Sequence, residues 1–313
     1  MKWFKRISLS VIVTYLVALG LDIFISKSLL KTSLFEGELE VMNDIYNDNI
    51  SEDLLIYGSS RSCVHINPKI LDKKLNIDSY NLGFNGQKVR LVKFRNDILL
   101  ENNIIPKNVI INLDINFFGN YGMRNPAQFL PILLYDYNKY NFFKNDIKLY
   151  LLDIYMPLIR YRKLKEYNIS LLKELNKIYF GSDYRKKIRY KGFEGKNYKW
   201  SESSKKNLNF KIDPLRKKEL IDMIEGLIQL DVNVILINSP EYIERIAAQE
   251  NRGEIISLYK QLAFKYDIPF IDYTNDTINH NKEYFYNEEH LNAKGADIFT
   301  KKLAEDIKPY IKR

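Results

Sequence analysis

The sequence predicts an α/β protein whose parallel β-sheet is covered by helices on both faces. From Glu52 onward, short apolar runs alternate with amphipathic stretches of about 10–15 residues, a pattern typical of strand–helix–strand units. The runs predicted as buried strands are residues 54–57, 77–81, 109–113, 234–237 and 269–271. The predicted helices are residues 68–75, 89–100, 214–229, 254–266 and 292–308.

The N-terminus predicts a membrane anchor. Lys2, Lys5 and Arg6 precede a nearly continuous apolar run over residues 7–25, interrupted by Asp22 and small polar residues. About 20 apolar residues suffice to span a bilayer, and no small-residue cleavage site follows the run. Because basic residues stay in the cytoplasm, we expect a single-pass protein with the bulk of the chain extracytoplasmic. The alternative is a buried N-terminal helix of a soluble domain.

The helix–strand alternation fails between residues 119 and 212. This segment contains helical patterns around residues 142–152 and 170–179, followed by a basic stretch over residues 184–206. We predict four regions: a signal anchor at 1–26, a juxtamembrane linker or helix at 27–50, an α/β domain at 51–118 and 213–313, and a helical insertion at 119–212. The insertion is expected to form a cap or lid, or else an extra helical layer. Its basic residues Arg160, Arg162, Lys163 and Lys165 are expected on a solvated face.

Composition and charge restrict the function. Hydrophobic residues make up 46% and charged residues 28% of the 313 residues, as in a globular protein. The formal net charge of +9 favours anionic surroundings such as phospholipid head groups, teichoic-type polymers or nucleic acid. A single cysteine, Cys63, excludes an internal disulfide and a cysteine-built metal site. Three scattered histidines give no recognisable ligand set, so we expect neither a metal nor a cofactor.

Two segments contain residues suited to nucleophilic chemistry. Gly58-Ser59-Ser60 directly follows the first predicted strand and precedes a helix, so its hydroxyls and free backbone N–H groups lie at a carboxyl strand end. The same sequence is also typical of a plain turn. His290 immediately precedes the last predicted helix, where a general base could approach the first strand, although a loop histidine taken alone is more typically a solvated residue. His65 and Cys63 are expected to be packing residues.

These segments, with two others, resemble the four sequence blocks of the SGNH/GDSL hydrolases in their usual order. Residues 58–60, here Gly-Ser-Ser, resemble the first block, residues 81–86 the second, residues 110–116 the third and residues 290–295 the fourth. The resemblance covers about residues 52–118 and 213–308. It implies a flavodoxin-like three-layer α/β/α fold.

The resemblance also implies a role for each site residue. Ser60 would be the nucleophile and His290 the general base. The backbone N–H groups of Ser60 and Gly86 and the side-chain amide of Asn116 would stabilise the oxyanion.

One position departs from the family pattern, which is Asp-x-x-His. This chain has Asn287, which can accept a hydrogen bond from the imidazole but supplies no negative charge to stabilise imidazolium. Glu288, Glu289 or Asp272 could substitute, a Ser60–His290 dyad could suffice, or the site could be inactive.

The chain is also similar to the membrane-anchored SGNH-like proteins of surface-polymer gene clusters, such as the D-alanyl transfer protein of lipoteichoic acid synthesis. That resemblance implies movement of an acyl group, expected to be acetyl, to or from a cell-surface glycan or teichoic-type polymer beside a membrane-bound O-acyltransferase. Two functions remain open: a serine esterase or O-acyltransferase, and a non-catalytic accessory protein that binds polymer or that partner.

The basic, Tyr-rich stretch from Tyr184 to Trp200 suits nucleic acid by composition. With an outward-facing chain we expect anionic polymer or lipid there, and no nucleic acid.

Overall fold

The computed structural model describes residues 2–32, 34–47, 49–119, 123–181, 188–201 and 207–313. The basic stretch that begins at Tyr184 therefore lies partly outside the described residues. Two compact units are present: residues 1–43 with 122–188, and residues 44–121 with 189–313. We refer to them as the anchor unit and the α/β unit.

Along the chain, one or more helices separate each pair of successive strands from residue 54 to residue 272. The helices are α1 Lys2–Leu29, α2 Glu38–Tyr46, α3 Ser60–His65, α4 Pro68–Leu75, α5 Val89–Glu101, α6 Tyr137–Ile147, α7 Leu152–Tyr155, α8 Leu171–Phe180, α9 Pro214–Gln229, α10 Ile243–Ala247, α11 Arg252–Tyr266 and α12 Ala293–Ile307. The strands are β1 Leu54–Tyr57, β2 Ser79–Asn81, β3 Asn108–Asn112, β4 Asn233–Asn238, β5 Phe270–Asp272, β6 Phe285–Asn287 and β7 His290–Leu291. Short 3₁₀ helices occupy Pro126–Ile132, Ile159–Tyr167, Thr277–His280, Lys282–Tyr284 and Lys308–Tyr310.

The α/β unit contains a five-stranded sheet in the order β2-β1-β3-β4-β5. All four pairings are parallel, with Ile56 opposite Ile110 and Ile110 opposite Ile235. This is the flavodoxin-like strand order, in which the chain departs in opposite directions from the neighbouring strands β1 and β3. Ligands bind such sheets at the carboxyl strand ends beside that switch point. The predicted α/β fold class is confirmed.

The local sequence explains why the elements begin and end where they do. Each of the five predicted strands forms. The N-cap Asp213 accepts hydrogen bonds from the backbone N–H groups of Leu215 and Arg216 at the start of α9. Pro214 occupies the first turn of α9, where its missing N–H has no cost. Asn292 caps α12 by accepting from the N–H of Gly295 at 2.9 Å.

Asparagines end three strands of the five-stranded sheet, β2, β3 and β4, and their side chains bond neighbouring loops; Asn238 of β4 donates to the carbonyl of Leu113 at 2.6 Å. Asn81 at the end of β2 donates to the carbonyls of Ser62 and Ile66 at 2.7 and 2.8 Å. The side chain of Asn112 at the end of β3 bonds both the hydroxyl and the N–H of Ser239. Because each side chain replaces ladder bonds that stop at the strand end, the loops at the carboxyl edge are held in place.

In the anchor unit, α1 has 28 residues and is long and apolar enough to cross a membrane, a property that signal sequences share. Its apolar side chains from Trp3 to Phe24 are largely exposed. Toward its C-terminal end the helix packs against the insertion, where Phe24 stacks on Tyr179 with ring centroids 5.5 Å apart. Ser28 also hydrogen-bonds the Tyr179 hydroxyl at 2.6 Å.

The prediction of a solvated basic face at residues 160–165 was wrong for two of its four members. Arg162 and Lys165 are exposed, but Arg160 and Lys163 are buried. The segment is a 3₁₀ helix, in which side chains three residues apart lie on one side, so Arg160 and Lys163 turn inward together. Arg160 makes a bidentate ion pair with Asp22 of α1, with N–O distances of 2.6 and 2.5 Å.

The insertion also differs from its predicted outline. The helix expected around residues 142–152 is α6, which begins at the N-cap Asp136 and ends where Lys148 adopts a left-handed conformation with φ 53°. Residues 189–201 and 207–212 belong to the α/β unit, although the predicted insertion extended to residue 212. Arg189 donates to the carbonyl of Gly83 at 3.0 Å, and the N–H of Glu194 donates to the carbonyl of Cys63, which ties this segment to α3 and to the loop after β2.

Candidate active site

Ser60 is presented at the carboxyl end of β1 by a sharp strand-to-helix turn. Gly58 has φ 151°, and a Cβ there would lie 2.9 Å from the carbonyl oxygen of Asn112. Only glycine fits this conformation without displacing the neighbouring strand. Ser59 is the N-cap of α3 and accepts from the N–H of Arg61 at 3.2 Å. Ser60 is the first residue of α3, so its N–H has no intrahelical acceptor.

Ser60, His290 and Asn287 form a continuous hydrogen-bonded chain. The Oγ of Ser60 lies 2.7 Å from Nε2 of His290, although 230 residues separate them in the sequence. The other ring nitrogen of His290, Nδ1, lies 2.9 Å from Oδ1 of Asn287. The ring of Tyr286 stacks on the imidazole with centroids 5.4 Å apart and planes 4° from parallel. The serine, imidazole and asparagine therefore have the relative order of a nucleophile, a base and an orienting group.

The hairpin of β6 and β7 fixes the orientation of Asn287. Asn287 and His290 pair across the hairpin, and Oδ1 of Asn287 accepts from the backbone N–H groups of Glu289 and His290, each at 2.9 Å. Backbone N–H groups only donate, so the atom facing them must be the oxygen of the amide. The same oxygen faces Nδ1 of His290, which must carry the proton. Nε2 is then unprotonated and accepts from the Ser60 hydroxyl.

Two of the three alternative carboxylates, those of Glu289 and Asp272, lie in other contacts. Glu289 pairs with Arg245 at 2.5 Å, and Asp272 accepts from the N–H and hydroxyl of Thr274. The carbonyl of Glu288 accepts from the N–H of Tyr242 at 2.9 Å. These bonds hold the hairpin and the loops beside it.

A second histidine supports the loop that carries His290. The backbone N–H of Leu291 donates to Nε2 of His65 at 3.0 Å, which requires His65 to carry its proton on Nδ1. Nδ1 in turn faces the hydroxyl of Ser239 at 3.1 Å. Burial lowers the pKa of His65 well below its usual value, and the charges of Arg61 and His290 act in the same direction. His65 is therefore a neutral acceptor, and His280 is exposed.

Gly86 and Asn116 line a cavity together with Ser60. Gly86 is exposed in the loop after β2 with φ 66°, a conformation that glycine adopts readily. Asn116 follows β3, and its Oδ1 is buried without a hydrogen-bond partner in the described part of the chain. The structure therefore brings all three expected oxyanion residues to the same cavity.

Charged side chains line the same cavity as Ser60. Arg61 is buried and pairs with Asp114 at 3.3 Å and with Glu241 at 3.6 Å. Glu241 also pairs with Arg252 at 2.5 Å. Burial raises the pKa of Glu241, but the charges of Arg61 and Arg252 outweigh burial and lower that pKa to about 2. Glu241 is therefore ionised and keeps Arg61 in place beside Ser60.

The cavity has a volume of about 470 Å³, within the range of small-molecule sites. Most of its lining is polar or charged, and Leu208, Ile115 and Phe210 are the apolar members. Lys88 also lines the cavity. Burial lowers the pKa of the Lys88 ammonium, and the carboxylates of Asp114 and Glu289 oppose that change. Such a cavity suits a small polar group better than a long lipid chain.

Sequence reasoning missed several residues of this site. Ser60, Gly86 and Asn116 follow strands β1, β2 and β3, and Glu241 follows β4 in the same way. Its position after a strand could therefore have indicated that it belongs to the site. Leu208 and Phe210 lay within the segment assigned to the insertion, and no pattern in the sequence linked them to the serine. Among the described residues, no group of three or more His, Cys, Asp or Glu side chains is placed to hold a metal ion.

Comparison with solved structures gives distant matches. One is a protein described as a lipolytic protein of the G-D-S-L family from Desulfitobacterium hafniense DCB-2, 12% identical, covering 80% of this chain and 97% of that chain with a TM-score of 0.42. Another is described as an acylhydrolase from Bacteroides fragilis NCTC 9343, 13% identical, covering 82% and 87% with a TM-score of 0.39. No protein-family model matches the chain, and neither does any curated protein.

Proposed function

We propose that this chain is an SGNH-type serine esterase or O-acyltransferase. The observation that carries the proposal is the chain of contacts from Ser60 Oγ to His290 Nε2 at 2.7 Å and from His290 Nδ1 to Asn287 Oδ1 at 2.9 Å. It ends at a cavity into which Gly86 and Asn116 also face. Acyl transfer requires a nucleophilic hydroxyl, a base whose unprotonated nitrogen faces that hydroxyl, and hydrogen-bond donors beside it for the oxyanion.

In the first half-reaction, Ser60 Oγ attacks the carbonyl carbon of an acyl ester while its proton passes to Nε2 of His290. The resulting oxyanion accepts hydrogen bonds from the N–H groups of Ser60 and Gly86 and from the amide of Asn116. When the carbon–oxygen bond of the ester breaks, the departing alcohol takes the proton from Nε2. Ser60 then carries the acyl group, and His290 is neutral again.

In the second half-reaction, an acceptor hydroxyl gives its proton to Nε2 and attacks the acyl carbonyl. Ser60 Oγ leaves and recovers that proton from His290. With water as acceptor the products are a carboxylic acid and free enzyme, which is hydrolysis. With a sugar or polyol hydroxyl as acceptor the product is a new ester, which is transfer.

Asn287 holds the imidazole in the tautomer that these steps require. A Cys-His-Asn arrangement serves the same purpose in papain-like proteases, so an asparagine is compatible with catalysis. The absence of a negative charge beside the imidazolium makes the base weaker than an Asp-supported histidine, and we expect a slow enzyme.

The proposed setting is the outer face of a cell membrane. The exposed apolar surface of α1 supports a single-pass anchor at residues 7–25, and the basic residues before it support an extracytoplasmic α/β unit. The polar cavity and the net charge of +9 support a small acyl group, such as acetyl, on an anionic glycan or teichoic-type polymer. A membrane-bound O-acyltransferase is the proposed partner.

The experiment is labelling of the full-length protein in detergent with a fluorophosphonate probe. We expect the probe to modify Ser60 and expect Ser60→Ala to abolish labelling. Ser59→Ala is the matched control, because the neighbouring hydroxyl bonds the N–H of Arg61 and is expected to be dispensable for labelling. Folded wild-type protein that takes no label would contradict the enzymatic proposal.

The second candidate is a non-catalytic accessory protein that binds the polymer or the acyltransferase. The observation favouring it is the neutral Asn287 in place of a carboxylate. In cells that depend on the protein, Ser60→Ala separates the candidates: loss of the surface-ester phenotype supports the enzyme, and an unchanged phenotype supports the accessory protein.

A further inference from the structure

We propose that the insertion enters the membrane from its outer face beside α1, through residues 150–156, a segment that contains the short helix α7 and that we call the membrane loop. The proposal goes beyond the active site and rests on the part of the proposed function in which α1 crosses the bilayer. It concerns contacts within the anchor unit alone.

The length of α1 sets the depth of each of its residues. A 28-residue helix is about 42 Å long, and the hydrocarbon core of a bilayer is about 30 Å thick. Lys2, Lys5 and Arg6 must stay at the first interface, so the hydrocarbon region begins near Ile7 and takes up about 20 residues. At about 1.5 Å per residue, Tyr15 lies roughly 13 Å beyond Arg6, and Asp22 roughly 24 Å. Both residues are within the hydrocarbon region.

The insertion contacts α1 at these two depths. The hydroxyl of Tyr15 donates to the carbonyl of Tyr155 at 3.2 Å and also bonds the hydroxyl of Tyr135. Asp22 is completely buried by the insertion, where it pairs with Arg160. The residues that make these contacts must therefore lie at membrane depth as well.

The Asp22–Arg160 pair has the chemistry expected of charges at that depth. An isolated carboxylate in hydrocarbon is costly, and such groups pair with an opposite charge facing the protein interior. Arg160 uses both terminal nitrogens on Asp22 and donates through Nε to the carbonyl of Leu130 at 2.6 Å. The pair is thereby isolated from both water and lipid.

The exposed side chains of the membrane loop are of the apolar and aromatic types found in contact with a bilayer. Tyr150 is 63% exposed and Leu152 is 59% exposed, and Leu151, Tyr155 and Met156 are exposed as well. Lys163 and Arg162 lie over the ring of Tyr150 at 5.6 and 5.9 Å. Tyrosine with flanking basic residues is typical of the boundary between hydrocarbon and head groups, whereas leucine and methionine suit the hydrocarbon.

The test measures depth in vesicles with the full-length chain. In a Cys63→Ala background, single cysteines replace Leu152, Val13 or Phe264 and carry an environment-sensitive fluorophore. The vesicles contain phosphatidylcholine and phosphatidylglycerol with brominated acyl chains. Val13 of α1 is the positive control, and Phe264 of the α/β unit is the matched control because it is an apolar side chain that is 90% exposed.

We expect the Leu152 probe to be quenched to an extent comparable with the Val13 probe and to emit at shorter wavelength than the Phe264 probe. Quenching at Val13 with none at Leu152 would overturn the membrane loop and leave the anchor intact, and it would indicate a protein partner for this surface. Absence of quenching at Val13 would overturn the anchor and, with it, the membrane loop.

Discussion

The Oδ1 atom of Asn287 lies 2.9 Å from Nδ1 of His290, and the backbone of the same hairpin prevents the amide from turning its nitrogen toward the ring. Asn287 thus orients the imidazole through a neutral oxygen and supplies no negative charge to it. This relationship makes the contribution of the charge measurable by a single substitution.

We expect Asn287→Asp to raise ester turnover about tenfold or more above pH 8, since tenfold corresponds to about 1.4 kcal/mol of transition-state stabilisation. The carboxylate would also raise the pKa of the His290 imidazole, so the acid limb of the kcat/KM profile should move to higher pH. The measurement is a pH–rate profile with an aryl acetate. Asn287→Ala is the control and should lower turnover, because it leaves the imidazole without an orienting acceptor. A profile unchanged by Asn287→Asp would show that the charge is irrelevant here.

Asn116→Ala should lower kcat by about 10²- to 10³-fold with little change in KM, the loss observed when one oxyanion donor is removed. Its buried Oδ1 has no partner within the described residues, so the substitution breaks no observed side-chain bond. Steady-state kinetics on the same ester, with thermal unfolding as a check on folding, would measure the effect. An equal rise in KM at constant kcat would instead assign Asn116 to ground-state binding.

His65 should make the protein less stable in acid. Its pKa is well below 6.5 in the folded state, so the unfolded state binds the extra proton first. The stabilising contribution is present above about pH 6.5 and falls with decreasing pH, by at most about 1.4 kcal/mol per pH unit for one group. Unfolding midpoints from pH 8 to 5 should decline less in His65→Gln, whose amide oxygen can still accept from Leu291. Parallel curves for the two proteins would contradict this role.

The anchor predicts a definite topology. Protease added to intact spheroplasts should digest the bulk of the chain, because Lys2, Lys5 and Arg6 keep the short N-terminal end inside. Immunoblotting with a C-terminal epitope would follow the digestion, and permeabilised cells provide the control. Complete protection of the residues beyond about 30 would rule out the outward orientation.

Replacing one partner of the Asp22–Arg160 pair should destabilise the fold more than replacing both partners. Arg160→Met leaves Asp22 as an uncompensated buried charge, which typically costs about 3–5 kcal/mol. The double variant Asp22→Leu/Arg160→Met removes both charges and should regain much of the loss. Thermal unfolding of the detergent-solubilised proteins would compare the three. If the double variant is no more stable than Arg160→Met, the pair is not the reason for the loss.

The sequence by itself determined the parallel sheet, the helix caps and the strand ends at which Ser60, Gly86 and Asn116 lie. These features depend on neighbours within a few positions, such as the apolar run of β1 or the Asp213-Pro214 start of α9. Parallel pairing then brings all carboxyl strand ends to one edge of the sheet. Gly86 and Asn116 were assigned to the site by the resemblance to the SGNH/GDSL blocks.

Only the tertiary structure decided which polar groups are buried together. Arg160 was predicted to be solvated, because its partner Asp22 lies 138 residues earlier and the neighbouring sequence does not indicate their contact. Arg61 and Glu241 likewise meet across the sheet edge, and the hairpin of β6 and β7 decides which atom of Asn287 faces His290. The free energy of a buried charge or hydrogen bond depends on its partner, and partners far apart in the chain are specified by packing and not by local pattern.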